Sequence, residues 1–408
     1  MEFRIKMFFF PEGNNMKAYE SLPNYESKSR ETTNFIIKSI KTVCKANPSR
    51  QSGSEDEKNA QKYVEETMSK FADEVKTQEF TAKINTEGKL KKTAVFFMLS
   101  VIIACVSGVV CFLLKDMPEL KYLFVIPLIL MCVGFIIPSK KGVSENVIAI
   151  KNPSGDIKRR IVFMGNINSP VERSLYRATS PKMEYVAIVF FGIGLGLCSL
   201  FDLCAIFLFA PDRLNVSPLL ALVQLVFIPA GLLIMVFFNP KQEVQGATGN
   251  LTGAFDAMAV IQYLTYNSLS LENTQTVSVS CGASLDGATQ FLNEYLPSFR
   301  DVDTVYISVD TLESDRLIAV SGEKAGLVKS AAENAGVEIK ETADVLRSSL
   351  IGALINQKVP CARLSGIDAD SGLYASREDV VGAISPMAIE AGLKVSLETA
   401  YLFDEQGI

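Results

Sequence analysis

Hydrophobic positions along this chain are of two kinds, long unbroken runs and shorter patterned ones. From Ala94 to Leu114 the sequence reads AVFFMLSVIIACVSGVVCFLL without a charge, and from Tyr122 to Pro138 it reads YLFVIPLILMCVGFIIP, with KDMPELK between them. A second pair covers about 185–210 and 216–238, around the tip PDRLNVS. A helix needs ~20 apolar residues to cross a bilayer core, and soluble helices of such length keep a polar stripe. The runs therefore predict two membrane-spanning helical hairpins, 93–138 and 184–238. Asp202 and Gln224 are the only strongly polar side chains within them. A carboxylate inside a span marks a candidate functional site, but Asp202 lies in the last third of its run. A side chain that reaches the membrane interface is the favoured reading.

The patterned segments alternate helix and strand. Phe35, Ile36, Ile40 and Val43 share one helical face within 30–46, and Ser54-Glu55-Asp56-Glu57 reads as a capping box that opens a helix to about Phe71. EVKTQEFT, NVIAIKN, RIVFMGN, TVSVSCG, TVYISVD and CARLSG read as strands. Helices are expected at about 251–266, 288–297 and 386–403. Short loops and β-branched apolar strands indicate an α/β sandwich around a largely parallel sheet. The soluble domain is thus expected in three pieces, 30–92, 139–183 and 239–408, behind an extension at 1–29. In that extension MEFRIKMFFFPEGNN lacks caps and periodicity, and its apolar patch is too brief for a signal-peptide core. Glu12-Gly13 before Met16 is what a translated purine-rich ribosome-binding site would encode, which points to Met16 as the start.

Two hairpins return the chain to the side it left, so all three soluble pieces share a compartment. Lys89, Lys91, Lys92, Lys140, Lys141, Lys158, Arg159, Arg160 and Lys182 lie on that side, against Lys115, Lys121 and Arg213 at the tips. The positive-inside rule makes the common side cytoplasmic, with both termini there and the chain multi-pass in the cell membrane. Five of the eight cysteines fall in the apolar runs, and Cys44, Cys281 and Cys361 have no CxxC spacing, so neither a disulfide framework nor a cysteine zinc site is indicated. A net charge of −5 implies no nucleic-acid surface. The partners implied are membrane lipid and a peptide or protein.

The order of the soluble motifs resembles the M28 family of zinc-dependent aminopeptidases. PSRQSGSEDEKNAQKYVEETM looks like the family's entry helix, and NVIAIKNPSG followed by RIVFMGNIN like its second and third strands. GATGNLTGAFDAMAVIQYL is similar to the Gly-Ala-x-Asp-Asn-x-Ser/Thr-Gly turn that starts the central helix. YISVDTL resembles the strand ending in a metal-binding aspartate, and YASREDVVGAISPMAIEAGLKVSLETAYLF resembles the Tyr-His-Thr-x-x-Asp ending with its closing helix. The resemblance implies a three-layer zinc-peptidase sandwich around a mostly parallel mixed sheet, into which the two hairpins are inserted.

That family's chemistry uses two zinc ions held by His, Asp and Glu, with a carboxylate that deprotonates the bridging water. This chain contains no histidine at all. Carried over position by position, Asn166 stands for the first ligand histidine and Asn168 for its supporting aspartate. Gly249 replaces the bridging aspartate, although Asn250 is retained. Ser284 stands at the general base and Leu285 at the ligand after it, with Asp286 the only carboxylate near. Asp310 survives, and Ala375 replaces the last histidine. One carboxylate cannot hold two zinc ions. No zinc or other cofactor is therefore expected, and no functional catalytic residue.

Other chemistry at these positions has bland counterparts. Ser284 as a nucleophile would need a base, and no histidine exists to serve; the simpler reading is a polar loop residue. Asp310 is either a strand-end cap or a residual cation ligand. Asn166 and Asn168 either stitch the vacated site together or bind part of a peptide. Three functions compete: a catalytically silent peptidase-fold binding or assembly module, an active aminopeptidase with an altered or partner-completed site, and a membrane transport component. Sparse polar residues in the spans disfavour the third.

Overall fold

The computed structural model describes residues 18, 22, 24–84, 86–114, 116–172, 181–207, 217–237, 244–315, 318–341, 350–366, 373 and 376–407. Of the extension expected at 1–29, residues 1–17 lie outside them, as does Ala375, while the helix Tyr25–Ala46 begins within its expected bounds. Eight strands form one mixed sheet: β1 (Glu74–Ile84), β2 (Lys140–Lys151), β3 (Arg159–Asn166), β4 (Thr274–Cys281), β5 (Asp303–Leu312), β6 (Ile318–Ser321), β7 (Ile339–Glu341) and β8 (Cys361–Gly366). Their order is β1-β2-β4-β3-β5-β8-β6-β7. The centre, β4-β3-β5-β8, is parallel; β1 joins β2, β2 joins β4 and β6 joins β8 antiparallel, while β6 and β7 pair in parallel.

Alternation along the central strands builds the layers, because successive side chains leave a strand on opposite faces. In β3, Ile161 and Phe163 join Val305, Ile307 and Val309 of β5 on one face, while Val162 and Met164 join Val277 and Val279 of β4 on the other. Both faces are covered, which is why these strands read as continuous apolar runs. The first face carries α1 (Tyr25–Ala46), α2 (Glu55–Met68), α8 (Leu251–Tyr266), α10 (Ala325–Asn334) and α12 (Pro386–Gln406). The second carries α9 (Leu285–Tyr295) and α11 (Leu350–Asn356). This is the α/β sandwich expected. The short elements β6, α10, β7 and α11 were not delimited in the sequence.

Two helical hairpins interrupt the sandwich. α3 (Thr86–Leu113) and α4 (Val125–Ile136) stand between β1 and β2. α5 (Pro181–Phe207), α6 (Ser217–Val223) and α7 (Ile228–Phe237) stand between β3 and α8. Four stretches, Gly88–Leu113, Glu119–Ile136, Tyr185–Phe207 and Pro218–Phe237, are long and apolar enough to cross a membrane. The second and fourth are not continuous α-helix. Pro127 and Pro229 have no N–H to donate four residues back, and in each case the preceding turn tightens to a 3-10 form, at Pro118–Phe124 and Gln224–Phe227. Asp202 does not extend outward from the helices. It is fully buried, and its Oδ1 accepts from Gln224 Nε2 at 2.7 Å between helices, while Asp202 Oδ2 and Gln224 Oε1 have no hydrogen-bond partner.

Candidate functional site

The parallel strands β3, β4, β5 and β8 end on one edge of the sheet, where open α/β sheets place their ligand sites. Asn166 is the last residue of β3 and is registered with Cys281, the last of β4. Asp310 lies near the end of β5. Glycine brings the start of α8 against these ends. A Cβ on Gly253 would stand 2.3 Å from Val309 O, and one on Gly165 would stand 2.4 Å from Ala254 Cα. Side chains then fasten the contact. Thr311 Oγ1 donates to Gly249 O at 2.5 Å, and Leu312 N donates to Thr252 Oγ1 at 2.9 Å.

The fold gathers most of the residues singled out in the sequence. Asn166 Nδ2 donates to Ser284 Oγ at 3.2 Å. Asn168 Nδ2 reaches Ser52 Oγ at 3.4 Å, and the Asn168 carbonyl accepts from Asn250 Nδ2 at 2.5 Å. Gly249 sits in the turn before α8, and Ser284 and Leu285 open α9. Ala283 and Ser284 both have φ of 48°, a left-handed conformation that non-glycine residues adopt at a cost. Asp286 turns elsewhere, accepting the Lys83 N–H at 2.7 Å. The Oδ1 atoms of Asn166 and Asn168 are buried without a hydrogen-bond partner.

Asp310 is neither a strand-end cap nor an open carboxylate. Its Oδ2 accepts from Arg363 Nε at 2.5 Å, with both side chains largely buried, at 7% exposure for Arg363 and 11% for Asp310. Ser308 Oγ lies 3.4 Å from the other oxygen. Arg363 comes from β8, the strand paired with β5, and is registered with Ser308. It was missed in the sequence, although an arginine within the apolar strand CARLSG signals a buried cation in need of an anion.

Three further buried charges frame the site. Asp379, the last position of the Tyr-His-Thr-x-x-Asp pattern, accepts the backbone N–H groups of Thr248 at 2.6 Å and Gly249 at 2.8 Å, and so fixes the turn in which Gly249 lies. Burial pushes its carboxyl above the ordinary range, while those two N–H groups act to lower it. Glu57 does not close a reciprocal capping box. Ser54 Oγ accepts the Glu57 N–H, but the Glu57 carboxylate accepts from Gly53 N, Ser144 Oγ and Ala283 N at 2.7–2.9 Å, which holds the Ala283-Ser284 turn. Burial raises its pKa against those bonds. Arg50 is wholly buried and donates to the carbonyls of Asn47, Ile167 and Gln245 at 2.7–2.9 Å, joining three loops; burial lowers its pKa.

The donor set does not fit a dinuclear zinc centre. Asn166 and Ser284 are neutral, Leu285 and Gly249 offer no side-chain donor, and Asp310 is already paired with a guanidinium. Among the described residues no group of three His, Cys, Asp or Glu stands together.

The fold is that of the M28-type zinc aminopeptidases and the glutaminyl cyclases that share it. A glutaminyl cyclase from Fimbriiglobus ruber aligns with a TM-score of 0.54 and 12% identity, over 91% of this chain and 95% of its own. The zinc aminopeptidase BSAP from Bacillus subtilis aligns with a TM-score of 0.53 and 11% identity, over 90% and 94%. The LapA aminopeptidase of Legionella pneumophila gives a TM-score of 0.52 and 7% identity, over 94% and 74%. No family profile and no curated protein sequence matches the chain. At these identities the likeness concerns the fold alone.

Proposed function

We propose that this protein is a membrane-embedded pseudoenzyme: an M28-type domain without peptidase activity, held at the cytoplasmic face by two helical hairpins and acting as a binding or assembly module for a peptide or protein. The observation that carries the reading is the Arg363–Asp310 ion pair. Asp310 is the one ligand position that keeps an anionic side chain, and a fixed guanidinium 2.5 Å away satisfies it and repels any divalent cation. Neutral amides, glycine and leucine at the other positions supply neither imidazole nor anion. A serine in place of the base removes proton transfer that is commonly worth ~10²- to 10⁴-fold. Four apolar helices in two hairpins, with lysines and arginines concentrated on the side of the α/β domain, support the membrane reading.

The deciding experiment is a metal count on the purified full chain together with an assay on aminoacyl and peptide substrates. The expected result is no stoichiometric zinc and no turnover above background after zinc addition. Stoichiometric zinc with chelator-sensitive hydrolysis would overturn the reading.

A further inference from the structure

The first apolar hairpin continues directly from the β1–β2 ribbon. β1 ends at Ile84 and α3 begins at Thr86, while α4 ends at Ile136 and β2 begins at Lys140. The ladder between β1 and β2 runs in register to this junction, where Lys83 is the direct partner of Lys141 and Ile84 of Lys140. Like charges placed opposite each other destabilise a strand pair. Lys83, Lys140 and Lys141 are exposed, and Lys89, Lys91 and Lys92 follow in the first two turns of α3, where its apolar stretch begins at Gly88. None of the six makes an ion pair among the described residues. Glu87 is the sole acid within 83–92, and the nearby Asp286 carboxylate is bound to the Lys83 amide.

Six ammonium groups are thus concentrated at the level where the helices turn apolar, two of them set side by side by strand register. We propose that this lysine collar binds the phosphate headgroups of anionic phospholipids in the leaflet facing the α/β domain. The inference rests on the membrane reading above and adds the lipid class. Lysine is suited to this position, because its stem can cover apolar surface while its ammonium group stays among polar headgroups. Juxtamembrane clusters of this size draw anionic lipid electrostatically.

The test is native mass spectrometry of the full chain in neutral detergent with equal phosphatidylglycerol and phosphatidylcholine. Phosphatidylglycerol adducts are expected to predominate. The sixfold variant Lys83→Gln, Lys89→Gln, Lys91→Gln, Lys92→Gln, Lys140→Gln and Lys141→Gln should lose that preference by roughly tenfold or more, while the sixfold Lys→Arg variant keeps it. Equal adducts of the two lipids in the unmodified chain, or an unchanged preference in the glutamine variant, would overturn the proposal. Millimolar inorganic phosphate should not displace the lipid; displacement would point to a free-phosphate site instead. Alkaline carbonate washing of cell membranes separates the two levels. Release of the chain sinks the membrane reading, whereas retention with equal adducts sinks the collar alone.

Discussion

Arg363 Nε lies 2.5 Å from Asp310 Oδ2, across the β5–β8 strand pair and at the edge where the parallel strands end. The guanidinium brings charge neutrality to a carboxylate that would otherwise be buried alone. Removing one member of such a pair strands the other charge, at a cost of about 3–5 kcal/mol, whereas replacing both by apolar residues is far less harmful. Arg363→Met is therefore expected to lower the melting temperature markedly, and Arg363→Met with Asp310→Leu to recover most of the loss. Thermal melts of the two single variants and the double variant check this. Additive losses in the double variant would show that the two side chains are not coupled.

The same pair sets a condition on rebuilding a metal site. Simultaneous Asn166→His, Asn168→Asp, Gly249→Asp, Ser284→Glu, Leu285→Glu and Ala375→His changes supply ligand types, but the guanidinium still neutralises Asp310. Zinc affinity, read by isothermal titration, is expected to be measurable only when Arg363→Ala is added to the set. Groups that act as a unit do not contribute one at a time. Equal zinc binding with and without Arg363→Ala would remove Arg363 from the account.

Much of this arrangement was legible in the sequence, and what was missed has physical causes. Ile161, Phe163, Val162 and Met164 announce a strand buried on both faces, and Phe35, Ile36, Ile40 and Val43 a helix packed on one. Placing Asn166, Ser284 and Asp310 on one sheet edge followed from motif order. Arg363 escaped because its partner is 53 residues away and is brought near only by strand order, which propensity does not encode. The first half of β2, KKGVSE, carries no apolar alternation and is strand because it pairs with β1. The Asp202–Gln224 contact had a usable signal: both residues stand eleven positions from Arg213 at the hairpin tip (213 − 202 and 224 − 213). Antiparallel helices bring such positions level.

Asp256 makes a pH prediction. It is fully buried in α8, and its carboxylate accepts from Ser396 Oγ at 2.7 Å while its other oxygen has no partner. Burial pushes its pKa up to about 7, and the Ser396 bond acts the other way. In the unfolded chain an aspartate ionises near ~3.9. Between those values the folded state holds a proton that the unfolded state has lost. This group's contribution to stability is therefore full below about pH 4 and is lost as pH rises through 7, a change of up to about 4 kcal/mol. Asp256→Asn should flatten that slope. Melting temperatures at about pH 5 and pH 8 for parent and variant give the comparison; parallel curves would exclude Asp256 as the source.

The membrane reading predicts a topology. A cysteine introduced at Asp116 or Asp212, in the two hairpin tips, should react with an impermeant maleimide added outside intact cells, once the native cysteines are replaced. One introduced at Gly407 should react only after the cells are opened. Shielded tips with a reactive carboxyl end would invert the orientation argued from Lys89, Lys91, Lys92, Lys140 and Lys141.

Asp202 and Gln224 provide the last test, because they are wholly buried between the third and fourth apolar segments and Gln224 opens the 3-10 turn ahead of Pro229. The hydrogen bond between them, 2.7 Å from Gln224 Nε2 to Asp202 Oδ1, satisfies one polar atom of each side chain, while Asp202 Oδ2 and Gln224 Oε1 are buried without a partner. Gln224→Leu leaves the carboxyl without its donor, and Asp202→Leu leaves the amide without its acceptor. Each single variant should unfold more readily in mixed micelles, while the double variant, with leucine on both sides, should be less harmed than the sum. Measured interhelical hydrogen bonds of this kind give couplings of about 0.6–2 kcal/mol. A coupling of zero in the double-mutant cycle would mean that the contact does not hold these helices together, and that the carboxylate is kept within the apolar segment for another reason.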